Sequence, residues 1–331
     1  MTKAFKSLLL STIFVASLGA LAQAQEKKTL IVAEPVHGTG YLPLYVAMAK
    51  GYFAEAGIEV KIMTVESGSG HTNAVLSGQA FAFIGGPEHN AFAKLKGAEL
   101  RGVVNVVDRG NIYFNAAKGK EPAPGESMAS FFKGKGIATG MYGGTPNSIT
   151  RYLLKKYNLD DKKDVTLQEM PNSAVLAAIK TGTAQIGVTT EPFLTQGIKQ
   201  GLWGEPILNI PRELGPYAYS TLNIRLDSIQ KDPQTVSKFV QGVMKGLAFT
   251  YADREEAAKV AKKEFPTMAP EDLKATLDRS FADEVWSKDG LISEKSWETG
   301  GSVVLAAGIL KQPVAYSDII DMQFVKSPKT N

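Results

Sequence analysis

Residues 74–97 read AVLSGQAFAFIGGPEHNAFAKLKG and residues 178–201 read AIKTGTAQIGVTTEPFLTQGIKQG. They align without a gap at a spacing of 104 residues, which places Ser77 on Thr181, Gly78 on Gly182, Ala80 on Ala184, Ile84 on Val188 and Gly97 on Gly201; upstream, Ser69 falls on Ser173. Each unit has the grammar of a helix, a glycine turn and a short β-rich run, and that shared grammar is itself an alternative source of the match. On either account the chain holds two similarly built α/β halves.

The first unit sits within a longer alternation. The runs TLIVAEP (29–35), IEVKIMTV (58–65), AFAFIGG (80–86) and LRGVVNVV (100–107) are each followed by a glycine-marked turn and a helical stretch, a pattern of βαβ units and a largely parallel sheet. A helix over Pro43–Lys50 has Pro43 where a missing N–H is harmless and Gly51 where a C-terminal cap is expected. The second half begins near Lys118, around the loop-like EPAPG (121–125), and contains the strand, glycine turn and helix of GKGIATGMYGGTPNSITRYLLKKYNL (134–159). YAYSTLNIRLDSI (217–229) reads as a strand leading out. From Pro233 to Leu310 apolar residues recur at helical spacing with nothing chemical among them, so this region is expected to pack around the first half.

Bulk properties set the class. A chain of 331 residues, 44% hydrophobic and 21% charged, fits a folded protein of two compact lobes or one large α/β domain. The net charge of +4 comes from scattered lysines and arginines with no basic patch, which speaks against nucleic acid as a partner. Lys3 and Lys6 precede the apolar run LLLSTIFVASLGALA and then Ala22-Gln23-Ala24, the form of a secretory signal cleaved after Ala24. The run is short for a membrane anchor, which needs about 20 apolar residues. With no cysteine there is neither a disulfide nor a lipid-bearing thiol, so the mature protein is expected free in a periplasm.

In open parallel sheets ligands bind beyond the carboxyl ends of the strands. The strand-end loops here are Pro35–Tyr41, containing His37, Thr39, Gly40 and Tyr41; Ser67–His71, containing Ser69, Gly70 and His71; Gly85–His89, containing Gly86, Pro87, Glu88 and His89; Asp108–Asn111, containing Arg109 and Asn111; Tyr142–Asn147; and Thr189–Pro192, containing Glu191. Two halves supply them, so the candidate site is a cleft between lobes. In Tyr142-Gly143-Gly144-Thr145-Pro146-Asn147 the glycines admit close backbone approach, Thr145 is placed to cap a helix, and free N–H groups there favour an anion. Ser69-Gly70-His71 offers a similar set. Arg109 suits a carboxylate or sulfonate, or is a surface charge. Glu88 and Glu191 suit a ligand amine or ring N–H, or cap helix starts. Tyr41, Tyr142, Tyr217 and Tyr219 suit aromatic walls or packing. His37, His71 and His89 suit hydrogen bonds to a ligand; their spacing matches no compact metal motif, so neither a metal nor another cofactor is expected.

These residues also carry a family resemblance. Tyr41-Leu42-Pro43-Leu44-Tyr45-Val46-Ala47, Ala49-Lys50-Gly51-Tyr52-Phe53, Glu55-Ala56-Gly57-Ile58-Glu59-Val60, Leu76-Ser77-Gly78-Gln79-Ala80, Lys133-Gly134-Lys135 and Thr190-Glu191-Pro192-Phe193 together resemble the periplasmic substrate-binding proteins of ABC importers, in the group that takes nitrate, sulfonates, taurine and thiamine-pyrimidine precursors. The resemblance implies an α/β, two-lobed type II periplasmic binding protein fold, each lobe a mostly parallel sheet flanked by helices, joined by a two-strand hinge. It implies lobe I from 25–116 and 219–331, lobe II from 117–218, and hinge crossings at Asn115–Lys118 and Tyr219–Leu222. The expected function is capture of a small, anionic organic ligand, held at Gly144, Thr145 and Arg109, by a monomer that delivers it to the importer's membrane permease. A thiamine-related pyrimidine precursor is the alternative ligand. A sensory binding protein without a permease is an alternative role. The related fungal pyrimidine synthase is an enzyme that relies on a histidine and a cysteine-rich stretch; the absence of cysteine here leads to the expectation of no enzymatic activity.

Overall fold

A computed structural model describes residues 27–326; the expected signal segment and its cleavage point lie outside them. The chain folds into two five-stranded sheets. The first contains β1 (Lys28–Glu34), β2 (Ile58–Thr64), β3 (Ala82–Gly85), β4 (Leu100–Arg109) and β10 (Pro216–Arg225), in the order β2-β1-β3-β10-β4. The second contains β5 (Tyr113–Ala116), β6 (Gly136–Thr139), β7 (Thr166–Glu169), β8 (Ile186–Thr189) and β9 (Leu208–Asn209), in the order β7-β6-β8-β5-β9.

The repeat read in the sequence is a repeat of structure. β3 and β8 stand 104 residues apart at both ends. Each lies between a parallel and an antiparallel neighbour, β1 and β10 for β3, β6 and β5 for β8. All four residues of each are buried, as expected of strands covered by helices on both faces. Gly78 and Gly182 close the preceding turns at φ 81° and 72°, a conformation that side-chain-bearing residues rarely adopt.

Each sheet is mostly parallel, as expected, with one strand reversed: β10 runs antiparallel to β3 and β4, and β5 antiparallel to β8 and β9. The expected crossings at Asn115–Lys118 and Tyr219–Leu222 fall partly within β5 and wholly within β10. The chain passes between the sheets at 110–112 and at 210–215, the latter a short helix Ile210–Leu214 followed by Gly215 at φ 64°. The apolar pattern of β5 and β10 signals strands, but it carries no mark of which sheet each one joins.

The C-terminal helices also differ from expectation. Pro233–Ala252 packs on the first half, its Gly246 against the backbone of Pro43. Pro270–Ala282 and Glu294–Ala306, however, touch helices of the second half as well, Phe193–Lys199 and Thr145–Lys156 respectively. Asp283, at the end of Pro270–Ala282, has a fully buried side chain that accepts from Tyr113 (2.9 Å), Asn209 (3.0 Å) and Arg212 (2.8 Å). Tyr113 follows the first crossing, Asn209 precedes the second and Arg212 lies within it, so one carboxylate ties both to the C-terminal helices. Asp283→Ala strands the buried Tyr113 hydroxyl and is expected to cost about 1–3 kcal/mol, read as a lower urea midpoint at unchanged slope.

Candidate functional site

Parallel strands within a sheet send their C-terminal loops to one edge, and here the two edges face each other. Between them lies a cavity of about 90 Å³. The first half lines it with Pro35, Val36, Gly38, Gly40 and Tyr41 after β1, with Glu66, Ser67, Gly68 and His71 after β2, with Gly85 and His89 around the end of β3, and with Tyr219 and Ser220 of β10. Asn111 lines it from the first crossing. The second half supplies Gly140, Met141, Gly144, Thr145 and Pro146 after β6, Met170, Pro171 and Asn172 after β7, and Thr190 and Glu191 after β8.

The cleft is closed. Gly68 lies so near the Tyr142 carbonyl oxygen that a Cβ at Gly68 would overlap it. Ser173 donates to Glu66 across the cleft at 2.8 Å, and Thr145 donates to Glu88 at 2.5 Å. Arg279, from the C-terminal helices, reaches Glu191 at 3.1 Å and Glu205 at 2.7 Å.

Nine of the expected residues meet at the cavity: Gly40, Tyr41, His71, His89, Asn111, Gly144, Thr145, Glu191 and Tyr219. The others are placed elsewhere or have other work. Arg109 does not line the cavity; it pairs with Asp108 (3.2 Å) and Glu284 (3.1 Å). His37 Nδ1 lies 2.9 Å from the buried Glu34 carboxylate, and that hydrogen bond holds the imidazole above its ordinary value. Glu34 also accepts from Tyr45 and Thr64, which makes His37 part of a structural knot beneath the loop. The Glu191 carboxylate is taken by Thr195, Thr276 and Arg279, leaving it nothing to offer a ligand. Tyr142 is 56% exposed, and with Ser69 and Gly143 it lines an outer groove that His89 separates from the cavity. The Gly70 N–H is taken by Ser67. Thr39, Gly86, Pro87, Glu88 and Tyr217 are buried behind the lining. Thr145 does not cap its helix: Gly144 is the cap residue and no side chain supplies the bond, because the hydroxyl is turned to Glu88.

Burial sets the electrostatics. His71 and His89 meet edge to face at 4.6 Å. Burial drives the His71 imidazole well below its ordinary value and His89 down to about 4, so both are neutral rings. Neither ring nitrogen of His71 has a hydrogen-bond partner. Among the residues lining the cavity there is no lysine or arginine. Among the described residues no group of three or more His, Cys, Asp or Glu side chains is placed to hold a metal ion.

Several lining residues were not singled out from the sequence. The loop Met170–Asn172 follows β7, an edge strand whose exposed and half-exposed residues TLQE show no apolar alternation, so the strand-end rule had no strand to act on. Gly68 lies within a loop already recognised and Glu66 beside it, but only a contact from the other half distinguishes them.

The match to a sequence family spans most of this architecture: the NMT1/THI5-like profile covers residues 39–257. The chain belongs to the NMT1/THI5-like family. It is 25% identical over 93% of its length to YtlA of Bacillus subtilis (strain 168), which carries a provisional binding-protein name and is 92% covered. It is 26% identical to the riboflavin-binding protein RibY of Chloroflexus aurantiacus, over 92% of this chain and 88% of that one. A third relative, 27% identical over 79% of this chain and 77% of its own, is a 4-amino-5-hydroxymethyl-2-methylpyrimidine phosphate synthase of Uromyces fabae. Among solved structures, the alkanesulfonate-binding protein SsuA of Xanthomonas axonopodis pv. citri superposes with a TM-score of 0.73 at 16% identity, over 90% of this chain and all of that one. The nitrate-binding protein NrtA of Synechocystis PCC 6803 does so with 0.61 at 18%, over 75% and 69%. The fold is that of the two-lobed periplasmic binding proteins.

Closure makes a prediction at Gly68. Gly68→Ala is expected to leave unfolding stability within about 0.5 kcal/mol of wild type. It is also expected to weaken whichever compound the wild type binds by about tenfold or more, because the lobes cannot meet. Calorimetry showing equal affinities would mean that closure does not use this contact.

Proposed function

We propose that this protein is an extracytoplasmic solute-binding component of an ABC importer that closes over a small, uncharged, single-ring nitrogen heterocycle. The family and the cleft between two similar lobes support the binding role. The ligand class rests on one observation: a cavity without lysine or arginine presents a buried, neutral His71 whose ring nitrogens are both unpartnered. A buried unpaired nitrogen costs about 1–3 kcal/mol, which a ligand N–H or O–H removes. Neutral His89, the Asn111 carboxamide and the Tyr41 and Tyr219 rings complete a mixed polar and aromatic surface.

The closed space of about 90 Å³ is below the roughly 150 Å³ of an apolar cavity that accommodates benzene. It therefore has no room for a three-ring flavin, the ligand named for RibY, and its size does not separate one single-ring ligand from another. An anion is the second reading. The N-terminus of the helix Thr145–Lys156 borders the cavity and favours negative charge, but Arg109, the expected counter-charge, is committed elsewhere. The synthase role is set aside because the cysteine-rich stretch that the resemblance ties to it is missing from this cysteine-free chain.

A thermal-shift panel on the mature protein tests this, since a ligand that binds only the native state at a thousand times its Kd adds about 4 kcal/mol of stability. The panel contains 4-amino-5-hydroxymethyl-2-methylpyrimidine and other aminopyrimidines, riboflavin, taurine, an alkanesulfonate, benzoate and nitrate. An aminopyrimidine is expected to raise the midpoint while sulfonates, nitrate and riboflavin do not. A midpoint raised by a sulfonate or by nitrate overturns the uncharged-ring reading.

A further inference from the structure

Glu88 is the buried acid that ligand capture leaves unexplained. It opens the short helix Glu88–Lys94 directly after β3, and its side chain is completely buried. One carboxyl oxygen accepts from Thr145 of the opposite lobe at 2.5 Å; the other is buried with no partner. The titratable groups facing it are the phenols of Tyr217 and Tyr219 on β10, themselves pushed up by burial. His89, next on the same helix, is neutral, and Lys94 at the end of that helix is paired with Glu99. Helix Glu294–Ala306 packs on this side with Gly300 against the Tyr217 ring. Among the described residues no cation is paired with Glu88. An ionised carboxylate in such a place has only Thr145 and its own backbone N–H to stabilise it, with one oxygen lacking a side-chain partner and no counter-charge, an arrangement that disfavours the charged form; a neutral acid fits it better.

From this geometry we infer that Glu88 is a proton-operated latch between the lobes, closed when its carboxyl is protonated and released when it ionises. The inference rests on the closing motion of the proposed function and not on the identity of the ligand. Closure completes the burial, because Thr145 comes from the far lobe; parting the lobes takes Thr145 away and opens that side of the acid to water. The direction in pH follows. Burial raises the acid from the ordinary 4.5 to about 7 in the closed form, whereas an open form that hydrates it restores a lower value. Between those values the closed form retains a proton that the open form gives up, so rising pH favours opening and falling pH favours closure. Each unit of separation changes the closing equilibrium by about tenfold. Solute is then held more tightly in an acidic compartment and released more readily in an alkaline one.

The test needs no ligand. The chain has no cysteine, so Glu66→Cys/Ser173→Cys creates a single thiol pair across the closed cleft that a short bifunctional reagent can bridge. The Glu88 carboxyl carbon is followed by NMR in glutamate-labelled protein, bridged and unbridged, and assigned by the signal lost in Glu88→Gln. Small-angle scattering from about pH 5.5 to about pH 8.5 reports whether the lobes part. The expected result is a Glu88 midpoint in the bridged protein at least about one unit above that of the unbridged protein. Equal midpoints overturn the latch. So does an unbridged protein that stays as compact as the bridged one throughout. Because no solute is present, either result leaves the ligand reading to stand or fall on its own panel.

Discussion

The cleft depends on the buried carboxylate of Asp283. Two sheets joined by two chain crossings can be set at many angles, and the crossings at 110–112 and 210–215 are too short to build a core of their own. Tyr113 and Asn209 flank those crossings and Arg212 lies within the second, and all three donate to this one carboxylate. The acid belongs to a helix that packs on the second half through Phe193–Lys199 and also contacts the turn Thr39–Tyr41 of the first. The relative placement of the strand-end loops, and with it the cavity, follows from this junction.

Contacts that close the cleft are of another kind. Ser173 with Glu66, Thr145 with Glu88 and Arg279 with Glu191 are polar pairs, and the close approach of Gly68 to the Tyr142 carbonyl is between backbones. Polar contacts exchange for water at small net cost, so such a surface can part and rejoin, whereas an apolar interface would lock. The carbonyl approach demands glycine for steric reasons, since any Cβ at that point occupies the space of an oxygen on the other lobe.

Charge in the cavity is governed by solvation rather than by the residue types present. His71, His89 and the Glu88 carboxyl lie in or behind the wall without counter-ions, and burial keeps the imidazoles uncharged and moves the acid towards neutrality. The chain's overall positive charge, carried by scattered lysines and arginines, does not reach the cavity lining. A lining without lysine or arginine but with unpaired donors and acceptors selects by hydrogen-bond pattern, and a ligand lacking the matching groups leaves buried atoms unpaired at a cost of about 1–3 kcal/mol each.

Local patterns in the sequence determined much of this protein. The α/β class, the positions of β1 to β4, the 104-residue repeat that places β3 and β8, and the strand-end loops bordering the cavity all follow from apolar periodicity, glycine turns and chain order, which act over a few residues at a time. Side-chain partners do not follow from such patterns. Arg109, Glu191 and His37 have the chemistry of ligand contacts, yet each is satisfied by a residue distant in sequence or by a buried acid beneath its own loop, and Glu88 gains its unusual environment from Thr145, 57 residues away. Tertiary structure alone decided which strands change sheets, which helices bridge the halves, and which polar atoms at the cleft remain unpaired. The reason is physical: periodicity records which face of an element is buried, while hydrogen bonding and desolvation depend on what the fold brings against that face.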